Sequence, residues 1–98
     1  MNHVDLVGRT TKEIEISYTP NKQTAVCRFT LAVDRRGAEG ADFISCKAWG
    51  KTAENMNKYV KKGQRVAVSG RLETGSYKND QGVTVYTTDV VADAVEFL

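Results

Sequence analysis

Phe43, Lys47 and Trp49 are spaced four and two residues apart in the run Phe43-Ile44-Ser45-Cys46-Lys47-Ala48-Trp49. In an extended chain, successive side chains point to opposite faces. Ile44, Cys46 and Ala48 then share one face, small and apolar as a core requires. Phe43, Ser45, Lys47 and Trp49 share the other. Two large aromatics beside a hydroxyl and an ammonium make an odd core. They make a good open surface on which bases stack and phosphates are neutralised. A sheet buried on both faces is the competing arrangement, since Phe and Trp are also core residues.

The other residues able to do chemistry narrow the choice. From Lys47 to Arg71 the cations are Lys47, Lys51, Lys58, Lys61, Lys62, Arg65 and Arg71, against the single acid Glu54. That segment carries +6; the whole chain carries +2, which leaves −4 for the rest. Such segregation suggests a side that faces a polyanion. Gly50-Lys51-Thr52 ends like a phosphate-binding P-loop. The first Gly of that motif is missing and Trp49 stands where a Gly-rich cradle is needed, so nucleoside triphosphate binding is not expected. His3 is the only histidine, and no Cys/His cluster has metal-ligand spacing, so neither metal nor cofactor is expected. Asp89 and Asp93 raise a paired-carboxylate enzyme, but no histidine base lies near them in sequence. The chain is not expected to be an enzyme. Cys27 and Cys46 both fall in strand-like runs and are expected as buried, reduced thiols.

Alternation continues through most of the chain. Val4, Leu6 and Gly8 oppose His3, Asp5, Val7 and Arg9. Ile14, Ile16 and Tyr18 keep the period, so one long first strand is expected, interrupted near Thr10-Thr11. Tyr18 to Lys22 is a turn around Pro20 and Asn21. From Thr24 to Val33, Ala25, Cys27, Phe29, Leu31 and Val33 alternate with Thr24, Val26, Arg28, Thr30 and Ala32, as in a half-buried strand. Asp34 to Ala41 is a charged loop containing Arg35, and the aromatic strand follows. After Gly50, Ala53, Met56 and Val60 recur at helical spacing. The expected helix is capped by Thr52, closed by Gly63, and has Lys58, Lys61 and Lys62 in its last turns. Gln64 to Thr74 alternates again. Gly75 to Gly82 is expected as a hairpin tip, bearing Tyr77 and Lys78. Val83 to Val91 forms the last strand, extended by Ala92 to Leu98.

The 98 residues suffice for one domain, here residues 1–98, and the composition of 41% hydrophobic and 27% charged residues is that of a folded chain. No apolar run could span a bilayer and Met1 to Asp5 is not a secretory leader, so no membrane and a cytoplasmic location are expected. Three strands, one helix and two strands describe an all-β five-stranded OB-fold barrel with its helix between strands 3 and 4. That barrel binds on strands 2 and 3 and on the 1–2 and 4–5 loops, where the aromatics fall.

The sequence resembles the bacterial-type single-stranded DNA-binding protein family from end to end. The matching stretches are Asn2 to Arg9, Tyr18 to Asn21, Phe29 to Val33, Ala41 to Ile44, Ala48 to Asn55, Tyr59 to Gly63, Ser69 to Leu72 and Tyr86 to Ala92. The resemblance implies an OB-fold homotetramer that wraps single-stranded DNA without sequence preference and protects it during replication, recombination and repair, on the nucleoid. It implies stacking on Phe43, Trp49 and Tyr77 and phosphate contacts at Lys51, Lys61 and Lys62. Lys47, Arg71, Lys78 and Arg35 are further candidate contacts. A fourth family aromatic falls at or near Gly37 and is missing. The family's often basic hairpin arm reads Glu73-Thr74-Gly75-Ser76 here, so weaker backbone contacts are expected on it. Family members usually continue into a flexible tail with an acidic tip that recruits other proteins. This chain stops at Val95-Glu96-Phe97-Leu98, and no tail-mediated recruitment is expected of it. An OB-fold protein-interaction module using the same aromatic face is the alternative.

Overall fold

A computed structural model describes residues 1–98. The elements are β1 (Val4–Thr10), β2 (Glu15–Tyr18), β3 (Ala25–Asp34), β4 (Ala41–Trp49), α1 (Gly50–Tyr59), β5 (Arg65–Lys78) and β6 (Thr84–Phe97). β1, β3, β4, β6 and β5 follow one another around a ring that closes where β5 pairs with β1. All neighbours in it are antiparallel except β4 and β6, which run parallel. This is the expected five-stranded barrel with a helix between its third and fourth strands.

The interruption expected near Thr10 is a bulge. Thr10 pairs with Leu31 and Glu15 with Arg28. Four residues, Thr11 to Ile14, thus lie opposite only Phe29 and Thr30. The surplus pushes Lys12 and Glu13 outward, while Ile14 turns inward and is buried. β1 and β2 are therefore one bent strand lying along β3.

The core follows the alternation. Leu31, Met56, Val66, Val68, Val90, Cys27 and Cys46 are its largest fully buried side chains. β4 contributes Cys46 and Ala48, and α1 contributes Ala53 and Met56. At about 25 cal/mol per Å² of apolar surface removed from water, each large side chain here stabilises the barrel by about 1.5–3 kcal/mol. Both cysteines are buried free thiols, as expected.

Three boundaries differ from expectation, each for a local reason. The helix starts at Gly50, not after Thr52, and its N-cap Trp49 makes no side-chain cap bond. Gly50 has φ +59°, a left-handed conformation open to glycine, so the chain turns from strand into helix at once. The helix ends at Tyr59 rather than at Gly63. Val60 is extended and only 3% exposed: the barrel takes this β-branched side chain out of the helix and into the core. Lys61 and Lys62 therefore lie beyond the helix, and Lys58 alone occupies its last turn. Finally, β5 runs on to Lys78, and the hairpin tip is only Asn79 to Val83. The Asn79 side-chain oxygen accepts from the Gln81 and Val83 amides and shapes that turn. Apolar alternation stops at Leu72 because both faces of the projecting arms meet water.

Candidate nucleic-acid interface

β4 presents its aromatic face because its other face is committed to the core. Phe43 is 70% exposed and Trp49 42%, while Cys46 and Ala48 between them are buried. β3 supplies the adjoining row. Across the two strands Val26 faces Trp49, Arg28 faces Lys47, Thr30 faces Ser45 and Ala32 faces Phe43. Small and hydroxyl-bearing residues therefore flank Phe43, while Trp49 has Val26 across from it and the Lys47 ammonium 5.9 Å from its ring centroid. Beside this face, an open polar groove of about 290 Å³ runs between the Lys12–Glu13 bulge and Thr30 and Ser45. Its shape suits a polymer laid along it better than an enclosed small molecule.

The β5–β6 hairpin extends the face. Lys47 is in register with Val91 and Val91 with Arg71, so by alternation Arg71, Glu73, Gly75 and Tyr77 continue the outward side. Tyr77 is 57% exposed opposite Val85. It stands on a strand arm rather than on a loop tip, so the arm's own pairing fixes its direction. Phe43, Trp49 and Tyr77 thus share one continuous surface.

The candidate cations divide into two groups. Lys47 Nζ lies 2.6 Å from Glu73 Oε1, Arg71 Nη1 3.0 Å from Asp93 Oδ1, and Arg35 Nε 2.9 Å from Asp42 Oδ1. These three are on or beside the aromatic face, but each already holds a carboxylate. Lys51, Lys61, Lys62 and Lys78 take part in no ion pair. Lys51 sits in the first turn of α1, two residues after Trp49. That turn holds no acidic residue, so the positive end of the helix and the ammonium add at one place. Lys78 ends the β5 arm beside Tyr77. Lys61 and Lys62 are a helix length away, about 15 Å for ten residues. Thr10 anchors their turn: its hydroxyl donates to the Lys61 carbonyl at 2.7 Å, and its backbone carbonyl accepts from Gly63. The length of the helix thus separates these two lysines from Trp49.

Asp89 faces Arg28 at 3.8 Å and Asp93 faces Arg71, so the two aspartates do not form a paired-carboxylate centre. No group of three or more metal-ligating side chains occurs.

A family model described as the single-strand binding protein family matches residues 1–98. The chain belongs to that family. The single-strand binding family consists of binding proteins rather than enzymes, in keeping with the carboxylates being tied to arginines. Similar relatives agree. Single-stranded DNA-binding protein 1 of Streptococcus pyogenes is 48% identical over 103 residues, a match covering all of this chain and 78% of that protein. Single-stranded DNA-binding protein 2 of Clostridium acetobutylicum is 50% identical over 102 residues, covering all of this chain and 77% of that protein. The single-stranded DNA-binding protein of Clostridium tetani is 49% identical over 102 residues, covering all of this chain and 70% of that protein.

Two features of this face and its hairpin escaped the sequence. Arg28 was visible as an outward residue of its strand, but its place opposite Lys47 depends on a register that one sequence does not show. Tyr86, 82% exposed, pairs with Ser76 on the reverse side of the hairpin from Tyr77. Its position two residues into a polar strand carries no signal by itself.

Proposed function

We propose that this chain binds single-stranded DNA without sequence preference and shields it during replication, recombination and repair. The observation that carries this is the pair of exposed aromatics, Phe43 and Trp49, on a strand whose opposite face is packed core. The names of its relatives support the choice of ligand. Bases stack on Phe43, Trp49 and Tyr77. Every base has a π-face, so such stacking tolerates any sequence. Lys51, Lys61, Lys62 and Lys78 meet phosphates directly; Lys47, Arg71 and Arg35 do so on exchanging their carboxylates. Residues 1–98 act as one binding domain, working in the cytoplasm on nucleoid DNA.

The chain acts as a homotetramer with twofold symmetry. A groove along β1 and β5 supports this, for it is lined by Leu6, Val7, Ala67, Val68 and Ala94 together with Asp5, Ser69 and Glu96, and Val7 in it is 44% exposed. Sedimentation equilibrium should return four times the chain mass; a monomer would remove that part of the reading.

Fluorescence anisotropy with labelled oligo-thymidine tests the binding itself. Tight binding by the wild type, weakened in Phe43→Ala and in Tyr77→Ala, is expected. A protein-interaction module would leave the anisotropy unchanged.

A further inference from the structure

On the surface that the proposed function assigns to DNA, the charges stand in a pattern that phosphate binding alone would not call for. Arg28 and Lys47 are directly opposite one another on β3 and β4. Glu73 and Asp89 are directly opposite one another on β5 and β6. Like charges placed this way repel across a sheet. Each pair is tolerable because it faces the other: Lys47 Nζ is 2.6 Å from Glu73 Oε1, and Arg28 Nη1 is 3.8 Å from Asp89 Oδ2. The result is a neutral quartet in the middle of the face, between Trp49 and Tyr77. The Lys47 side chain is only 11% exposed and its ammonium lies 5.9 Å from the Trp49 ring centroid, so the lysine is held rather than free to reach outward.

We propose that Glu73, backed by Asp89, is a built-in competitor for DNA phosphate that sets the selectivity of this face for single strands over duplex. The inference rests on the function proposed above. A duplex keeps its bases stacked inside and offers a protein chiefly phosphates, which bind through counterion release. A neutral quartet gives that interaction little. A single strand also offers bases, whose stacking on Trp49 and Tyr77 needs no net charge. The carboxylate of Glu73 sits where a phosphate oxygen would otherwise meet Lys47. The hydrogen bond from Lys47 holds that carboxyl below the usual carboxylate range, so the competitor remains charged at neutral pH.

The test is the salt dependence of binding by Glu73→Gln, read by anisotropy with oligo-thymidine and with a duplex of equal length. Glu73 is 44% exposed, so the variant removes charge without emptying the core. One freed phosphate contact steepens the slope of log affinity against log salt by about 0.7 for a single strand, a gain of about fivefold per tenfold dilution of salt. Duplex binding should gain more, with its slope steepened by about 0.9, narrowing the ratio between the two. Adding Lys47→Met to Glu73→Gln should restore the wild-type slope. Glu39→Gln removes an equal charge from the exposed loop between β3 and β4, where Glu39 is in no ion pair, and should leave the slope unchanged. Four results would overturn the proposal: an unchanged slope in Glu73→Gln, weaker binding by it, a gain in Glu39→Gln of the same size, or a gain no larger for the duplex than for the single strand. Failure of the wild type to bind oligo-thymidine at all would bring down the proposed function as well; normal wild-type binding with any of those four results removes only the role of Glu73.

Discussion

Trp49 ends β4 with its ring 42% exposed, and Gly50 turns the chain away immediately behind it. The ring is thus presented at a corner, with Lys51 and the start of α1 alongside. Stacking and charge can be separated here by salt. Trp49→Ala should cost about 1–3 kcal/mol of oligo-thymidine affinity at any ionic strength, since stacking is not screened. Lys51→Ala should lose its effect as salt rises. Titrations of both variants at low and high salt check the ranking, and equal losses at high salt would contradict it. The cysteines behind the face are inert for a physical reason. Burial pushes the Cys27 thiol up, and burial together with the Asp89 carboxylate pushes Cys46 up to about 12. Neither holds appreciable thiolate at neutral pH, so native protein should react slowly with a disulfide reagent and unfolded protein fast. The sign for stability follows. A thiol raised above its ordinary value of 9.0 stabilises the fold fully below that pH and loses the contribution as pH climbs towards 12. The melting temperature should fall over that range, and fall less in Cys46→Ala.

Among the elements, the β5–β6 hairpin carries the most and was the least legible. Two of its features come from one glycine. The register shifts between Ser69 and Gly70, and a Cβ on Gly70 would come within 1.9 Å of the Val91 carbonyl oxygen. This close approach lets the strands bend from the core into the projecting arms. Gly70→Ala should destabilise by about 1–3 kcal/mol, the scale of overpacking, measured by urea unfolding; a neutral result would mean the bend relaxes freely. In β3 and β4 the pattern was clear, because one face of each is buried and alternation must record it. Ile44, Cys46 and Ala48 pointed inward on sequence grounds and Phe43 and Trp49 outward, as found. The arms of β5 and β6 beyond Leu72 meet water on both sides, so no alternation marks them and Tyr77 read as a loop residue. The helix ends were misplaced for another reason. Thr52 and Gly63 fit the local rules for caps, but the tight turn at Gly50 and the burial of Val60 overrode them.

For the whole molecule, closing the sheet into a ring brings together residues far apart in sequence. Lys47 and Glu73 are separated by 26 residues, and Arg71 and Asp93 by 22. Two of the seven cations in the basic segment from Lys47 to Arg71 are therefore neutralised on the face, Lys47 by an acid of β5 and Arg71 by one of β6, while Lys51, Lys58, Lys61, Lys62 and Arg65 are in no ion pair. The barrel's net charge of +2 is accordingly small. Long-range attraction for DNA is weak, and contact with the bases has to supply much of the affinity. The measurement that tests this most directly is the fluorescence of Trp49, the only tryptophan, titrated with oligo-thymidine at low and at high salt. Strong, saturable quenching that largely persists at high salt is the expected result. No quenching at either salt would mean that bases do not stack on β4, and the face would have to serve another partner.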